Sequence, residues 1–309
     1  MSGRIDLVER CAALAELVDQ QCGALSRGQL RRLGVDSDAV AIHVARRRWQ
    51  QVGPLVVVTY TGPLPPATMR WAAALTVAPQ GVLGAWSALA VWGLKGWTRP
   101  GLHVVVDRGA TPSRLPTMVV HESRRHWRED VRQRDGLPVH SVERAAVDAA
   151  AWSRSGRAVG GLLAAVVQQG LTTPERLEPV LLRAGRIRYH RLMPLLLADI
   201  GGGARAMSEI DLGRLCRSRG LPEPLRQRRR RDARGRWRYL DVEWQRPDGG
   251  RVLLEIDGVG HMDVDRWYDD LLRMAEIASP GETVLRLPAL AARCEPDRVA
   301  AVLARHLLG

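Results

Sequence analysis

Apolar positions recur at helical spacing over residues 5–21, where Leu7, Val8, Cys11, Leu14, Ala15, Leu17 and Val18 line one face. Ser26 is a suitable N-cap for a second helix running through Leu30 to Leu33 and stopped by Gly34. Asp36 or Ser37 opens a third, which carries Val40, Ile42, Val44 and Ala45 before Arg46-Arg47-Arg48-Trp49. Residues 52–60 then read as a strand pair. Three short helices followed by a β-wing is the layout of a winged helix-turn-helix, whose third helix enters the major groove. On that layout Ser37, Asp38, Ala41, His43, Arg46, Arg47 and Arg48 face DNA. The alternative is a small helical subdomain with a solvated arginine cluster.

Helical pattern returns over 144–152, 157–169, 174–184 and 189–200, and Gly201-Gly202-Gly203 is the clearest break in the chain. Ser208 can cap a helix from Glu209 through Leu212, Leu215 and Cys216 to Arg219, with Gly220 ending it. A carboxylate at Glu209 is favoured by the helix dipole alone, whatever other role it has. Arg226 to Arg238 then holds eight arginines against Asp232 around an Asp-Ala-Arg-Gly turn. It reads either as a strand-turn-strand arm gripping phosphates, with Arg228, Arg229, Arg230 and Arg231 as its contacts, or as a disordered basic loop.

Period-two alternation takes over at 236–257. Val242 and Trp244 fall on one side of the first run, and Val252, Leu254 and Ile256 on one side of the second. Pro247, Asp248, Gly249 and Gly250 turn the chain between them, so a β-hairpin is expected. Its other face carries Asp241, Glu243, Glu255 and Asp257. With a five-residue loop, Gln245 pairs with Arg251 and Asp241 falls opposite Glu255; a shorter loop offsets them. Carboxylates about 5 Å apart repel by roughly 3 kcal/mol at an effective dielectric constant near 20. A divalent cation, nearby arginines or full solvent exposure would offset that. Oxygen-only ligands suit Mg²⁺, Mn²⁺ or Ca²⁺ rather than zinc. After Asp265 a helix to about Ala278, a buried strand over 283–287 and closing helix over 288–308 are expected.

Composition narrows the partner. The formal charge is +13, and 46 Lys+Arg face 33 Asp+Glu, with Lys95 the single lysine. Coding bias explains arginine over lysine but not basic over acidic, so nucleic acid is the leading partner. Cys11, Cys22, Cys216 and Cys294 are far apart with no Cys-x-x-Cys pair, which argues against a zinc site or disulfide framework. His103, His121, His126 and His140 show no metal-ligand spacing and read as scattered structural or surface residues. Trp86, Trp92 and Trp97 read as core. Arg4, Asp6, Glu9 and Arg10 stand where a signal peptide needs an apolar run, and no stretch approaches roughly 18 apolar residues. A soluble, cytoplasmic protein with no membrane partner is expected.

Asp241, Glu255-x-Asp257-Gly258, His261, Asp265-Arg266 and the charged helix after them resemble a restriction-endonuclease-like domain with the PD-(D/E)xK signature, in its very-short-patch-repair-like branch, as found in actinobacterial proteins. The resemblance covers about 205–309. It implies Asp241 and Glu255 as ligands of Mg²⁺ or Mn²⁺, Glu209 as a further acidic residue and His261 near the scissile phosphate, with Asp257 part of the catalytic set. Helix, three strands, helix, strand, helix is the superfamily's core order. The signature's lysine, two residues after Glu255, is replaced here by Asp257. Either His261 or Arg273 takes its role, or catalysis is weak.

Gly23-Ala-Leu-Ser-Arg-Gly-Gln-Leu30 and the basic junction at 46–58 resemble the N-terminal domain of AbiEi-type antitoxins of type IV toxin–antitoxin systems. Residues 85–93, the strand 102–107 and 135–149 are similar to that family's second domain, a small α/β module. Together these resemblances imply an α+β N-terminal winged helix (1–62), a small α/β middle module with a helical segment (63–200), and a C-terminal α/β domain with a mixed sheet flanked by helices (201–309). They imply a DNA-binding protein with a metal-dependent endonuclease-like domain. The alternative is an antitoxin-type transcriptional regulator with an inactive nuclease-like domain and a cognate toxin as partner.

Overall fold

The computed structural model describes residues 7–125, 128–203, 212–231, 237–246, 248–257, 283–288 and 291–308. The side chains of 7–11, 202–203, 226–231, 237–241, 255–257, 286, 288 and 292 fall outside that description. The chain forms two compact units, Met1–Asp148 and Ala149–Gly309, of mixed α+β type with three sheets among the described residues.

In the first unit, α1 (Leu7–Gln20) leads into β1 (Ala24–Ser26), α2 (Arg27–Arg32), α3 (Ser37–Ala45), β2 (Gln50–Gln51) and β3 (Val56–Val58). Strand β1 is absent from the sequence reading. It pairs Ala24 with Val58 and Leu25 with Val57, completing a three-stranded sheet of order β1-β3-β2. Ser26 ends the strand and caps α2: its hydroxyl accepts from the Gln29 N–H at 3.1 Å, while the Gln29 side chain accepts from the Ser26 N–H at 2.8 Å. Leu25, Leu30, Val40 and Val57 form the local core, with Leu14, Leu17, Val18, Val35, Val44 and Trp49 packed around it.

The unit continues with α4 (Pro66–Val77), β4 (Gly81–Leu83), α5 (Ala85–Val91), β5 (Leu102–Asp107), β6 (Met118–Ser123), a 3-10 turn, β7 (Val131–Arg134), β8 (Leu137–His140) and α6 (Val142–Ala151). Their five-stranded sheet runs β6-β5-β4-β8-β7, with β5–β6 and β4–β8 parallel. Gly84 is required beside β4, since a Cβ there would lie 2.5 Å from Val105 Cγ2. Asp135 and Gly136 both take positive φ (51° and 75°), as a tight β7–β8 hairpin demands. Residue 62 divides no compact unit: Thr68 of α4 donates to the Cys22 carbonyl at 2.9 Å and lies 2.8 Å from the Tyr60 hydroxyl.

The second unit holds α7 (Gly156–Gln168), α8 (Pro174–Ala184), α9 (Met193–Ala198), helix α10 at 212–218, β9 (Leu225–Arg231), β10 (Trp237–Gln245), β11 (Arg251–Asp257), β12 (Thr283–Pro288), α11 (Ala291–Cys294) and α12 (Pro296–Leu307). Its sheet runs β12-β11-β10-β9, antiparallel except that β12 joins β11 in parallel. The boundary expected at 200 is not one of compactness. A π-helical turn over Asp199–Gly203 prolongs α9 through the triple glycine, and Asp199 makes a buried 2.9 Å ion pair with Arg293 of α11. Pro296 divides the closing helix in two. The helix expected over 265–278 lies outside the described residues, among which no helix is long and apolar enough to cross a membrane.

Candidate functional site

Helix α3 is bounded at both ends by local hydrogen bonds. At its start the Asp36 carboxylate accepts from the Ala39 N–H at 2.8 Å. At its end the Arg47 N–H donates to the Val44 carbonyl and the Arg48 N–H to the His43 carbonyl, both at 3.0 Å. This is a Schellman stop, and Arg47 occupies its left-handed position (φ 53°), where glycine is the usual residue. Ser37, Asp38, Ala41, Ala45 and all three arginines are exposed. His43 departs from the expectation: its ring stacks on Trp49, with centroids 4.4 Å apart and planes at 14°, and Nδ1 is buried. Its position at the end of α3, facing the chain's return through Trp49, makes it a packing residue first.

In the second unit the arginine tract is a strand. Arg228 pairs with Leu240, Arg229 with Tyr239, Arg230 with Arg238 and Arg231 with Trp237. The next hairpin has the register of a five-residue loop: Gln245 pairs with Arg251 and Val242 with Leu254. Its turn is pinned by the Arg246 N–H, which donates to the Gly250 carbonyl at 2.8 Å, and by Asp248, which accepts from the Gly250 N–H at 2.9 Å. That N–H, followed by the Arg246 guanidinium, holds the Asp248 carboxyl below its usual value. The described pairs of this hairpin end at Val242 and Leu254, the neighbours of Asp241 and Glu255. The carboxylates of Asp241, Glu255 and Asp257 lie outside the described residues, as do Glu209 and His261 altogether.

One face of the hairpin is core, where Val242, Trp244, Val252 and Leu254 are at most 1% exposed and the Trp244 indole donates to the Pro222 carbonyl at 2.9 Å. The face that shares the register of Asp241 is not open water at Glu243. That residue is 4% exposed and lies 3.9 Å from Arg251 Nε, and Leu253, its partner across the pair, is also buried. Among the described residues no three His, Cys, Asp or Glu converge as a metal site.

Two arrangements in the first unit escaped the sequence. Arg144 is buried with its guanidinium 2.8 Å from Asp148 and 3.3 Å from Asp130, and His140 lies 3.7 Å from Asp148. Burial, helped by the Arg144 charge, lowers the His140 pKa to about 3. His103 and His121, expected to be scattered, are brought to 2.9 Å by the parallel pairing of β5 and β6. Burial, then the His103 charge, lowers the His121 pKa to about 4, and burial lowers that of His103. The strand over 102–107 is legible in the sequence, but its register with β6 has no local signal. Burial pushes the Cys216 and Cys294 thiols up to about 11 and about 12, which disfavours the thiolate.

No family model matches this chain, and no curated protein matches it. Among solved structures, the chain is similar to the crystal structure of the RV2827C protein from Mycobacterium tuberculosis. The identity is 16% and the TM-score 0.42, over 67% of this chain and 82% of that one.

Proposed function

We propose that this is a DNA-binding protein with a metal-dependent, endonuclease-like C-terminal domain that hydrolyses DNA phosphodiesters. The observation that carries the reading is the Gln245–Arg251 register, the one in which Asp241 would fall opposite Glu255. The burial of Glu243 weakens the competing idea of a solvated acidic hairpin. A β9-β10-β11 meander with β12 parallel to β11 supports a restriction-endonuclease-like core. The helix–strand–helix–helix–hairpin order, with sheet order β1-β3-β2, supports a winged helix that presents α3 to the major groove.

Two carboxylates are a hard-oxygen donor set, which fits Mg²⁺ or Mn²⁺, and Asp241 with Glu255 would hold the ion. When bound, it supplies Lewis acidity at the phosphate. In this reading Glu209 and Asp257 add negative charge around the ion. His261 orients or deprotonates the attacking water. Arg228 to Arg231 neutralise the nucleic-acid backbone, as Arg46, Arg47 and Arg48 do at the end of α3. A plasmid-nicking assay with Mg²⁺ or Mn²⁺ tests it. Cutting is expected from the native protein and not from Asp241→Ala; equal cutting by both, or none from either, removes the hydrolase.

Asp257, standing where the signature has lysine, favours a second reading: an antitoxin-type regulator whose nuclease-like domain is inactive. It requires salt-sensitive duplex binding that survives Asp241→Ala and Glu255→Ala and is lost when Arg46, Arg47 and Arg48 become alanine. Undiminished affinity in that triple variant would exclude it.

A further inference from the structure

We propose that the first unit carries a second anion site, separate from α3: the concavity where β5 and β6 end binds a phosphate group. It has a volume of 690 Å³ and is lined by Arg108, Arg124, Arg125 and Arg128, with Asp107 and Glu129 as its carboxylates and Ser123 in its wall. Four guanidinium groups against two carboxylates leave positive charge in excess. The volume is that of a small-ligand site.

Its position follows from the sheet. Strands β5 and β6 are parallel and pair Asp107 with Ser123, so their carboxyl ends lie side by side, the place where ligands bind in open α/β sheets. Arg108 and Arg124 are the residues that directly follow those ends. The wall is held firmly. The Arg108 N–H donates to the Ser123 carbonyl at 3.1 Å, and Arg128 donates to the Pro79 carbonyl at 2.9 Å while pairing with Asp107.

Ser123 is the polar centre of the wall. Its Oγ accepts from the Arg125 N–H at 3.2 Å and from the buried Arg144 guanidinium at 3.5 Å. Arg144 is itself fixed by Asp130 and Asp148. The hydroxyl also carries a hydrogen that it can donate to an acceptor in the concavity. A phosphate oxygen is such an acceptor, and the planar guanidinium fork recognises phosphate in pairs of hydrogen bonds. The phosphate could belong to a free ligand or to a nucleic-acid backbone.

The test compares the native chain with the double variant Arg108→Glu, Arg124→Glu, both exposed positions, and with Arg132→Glu, Arg134→Glu, which applies the same charge change on β7. Pyrophosphate and ADP are titrated by calorimetry and a labelled DNA duplex by fluorescence anisotropy. The site variant is expected to lose at least about tenfold in affinity for one of these probes, with its thermal midpoint unchanged and the β7 variant losing much less. Loss confined to pyrophosphate or ADP identifies a free ligand; loss confined to the duplex identifies the backbone. Unchanged affinity for every probe, or equal loss in the β7 variant, overturns the site. Arg46→Ala with Arg48→Ala reports separately on α3, so failure of one surface does not imply failure of the other.

Discussion

Replacing Arg47 with glycine should strengthen the fold and weaken DNA binding together. Arg47 holds φ at 53° in the stop of α3 and is exposed. A non-glycine residue in that conformation costs about 1–2 kcal/mol, and the extra freedom glycine gives the unfolded chain takes back roughly 0.5–1 kcal/mol. The net gain is about 0.5–1 kcal/mol, a rise of roughly 2–3 °C in Tm for a unit of this size. On the proposed DNA-binding reading, one phosphate contact is lost at the same time. That lowers duplex affinity by about tenfold and the slope of log K against log salt by about 0.9. Thermal unfolding followed by circular dichroism and anisotropy titrations over a salt series measure both, and Arg47→Lys, which keeps the charge and the strain, should leave both near the native values. A raised Tm with unchanged affinity and slope would refute the DNA-contact role of Arg47. A lowered Tm would refute the strain.

Three further expectations rest on the described residues. Asp199→Ala removes a buried ion-pair partner of Arg293 and should cost about 3–5 kcal/mol in denaturant unfolding of the second unit, most of it recovered by adding Arg293→Met. His121 is depressed to about 4 from 6.5. The unfolded chain therefore takes up protons first on acidification, so this part of the stability is complete above pH 6.5 and is lost as pH falls towards 4. Tm measured against pH should show that slope, and His121→Gln should flatten it. Ser26→Ala removes a reciprocal cap and should cost about 1 kcal/mol, read from the shift in urea midpoint.

Helix starts were legible because capping is chemistry within four residues: Ser26 with Gln29, and Asp36 with Ala39. The β10–β11 register was legible for a similar reason, since one turn and strict alternation fix every pair that follows. Strand β1 was not, because three residues carry no period and gain their identity only from Val56 to Val58, some thirty positions on. The pairing of His103 with His121 needs the register of two parallel strands, set by the connection between them. The π-helical turn that carries the chain through Gly201 to Gly203 was not legible, since its neighbour Asp199 pairs with Arg293, 94 residues away. Of the proposed metal site, only the Gln245–Arg251 register beside it was legible, from the turn and the alternation.

The Asp199–Arg293 pair also sets an order of events during synthesis. A ribosome releases Met1–Asp148 with every strand of its two sheets already made, so that unit can finish while translation continues. The helices over 149–200 have no such freedom. The buried carboxylate of Asp199 waits for Arg293, 94 residues further on, and β11 waits for β12. A nascent chain halted between these points has Asp199 without Arg293 and β11 without its parallel neighbour.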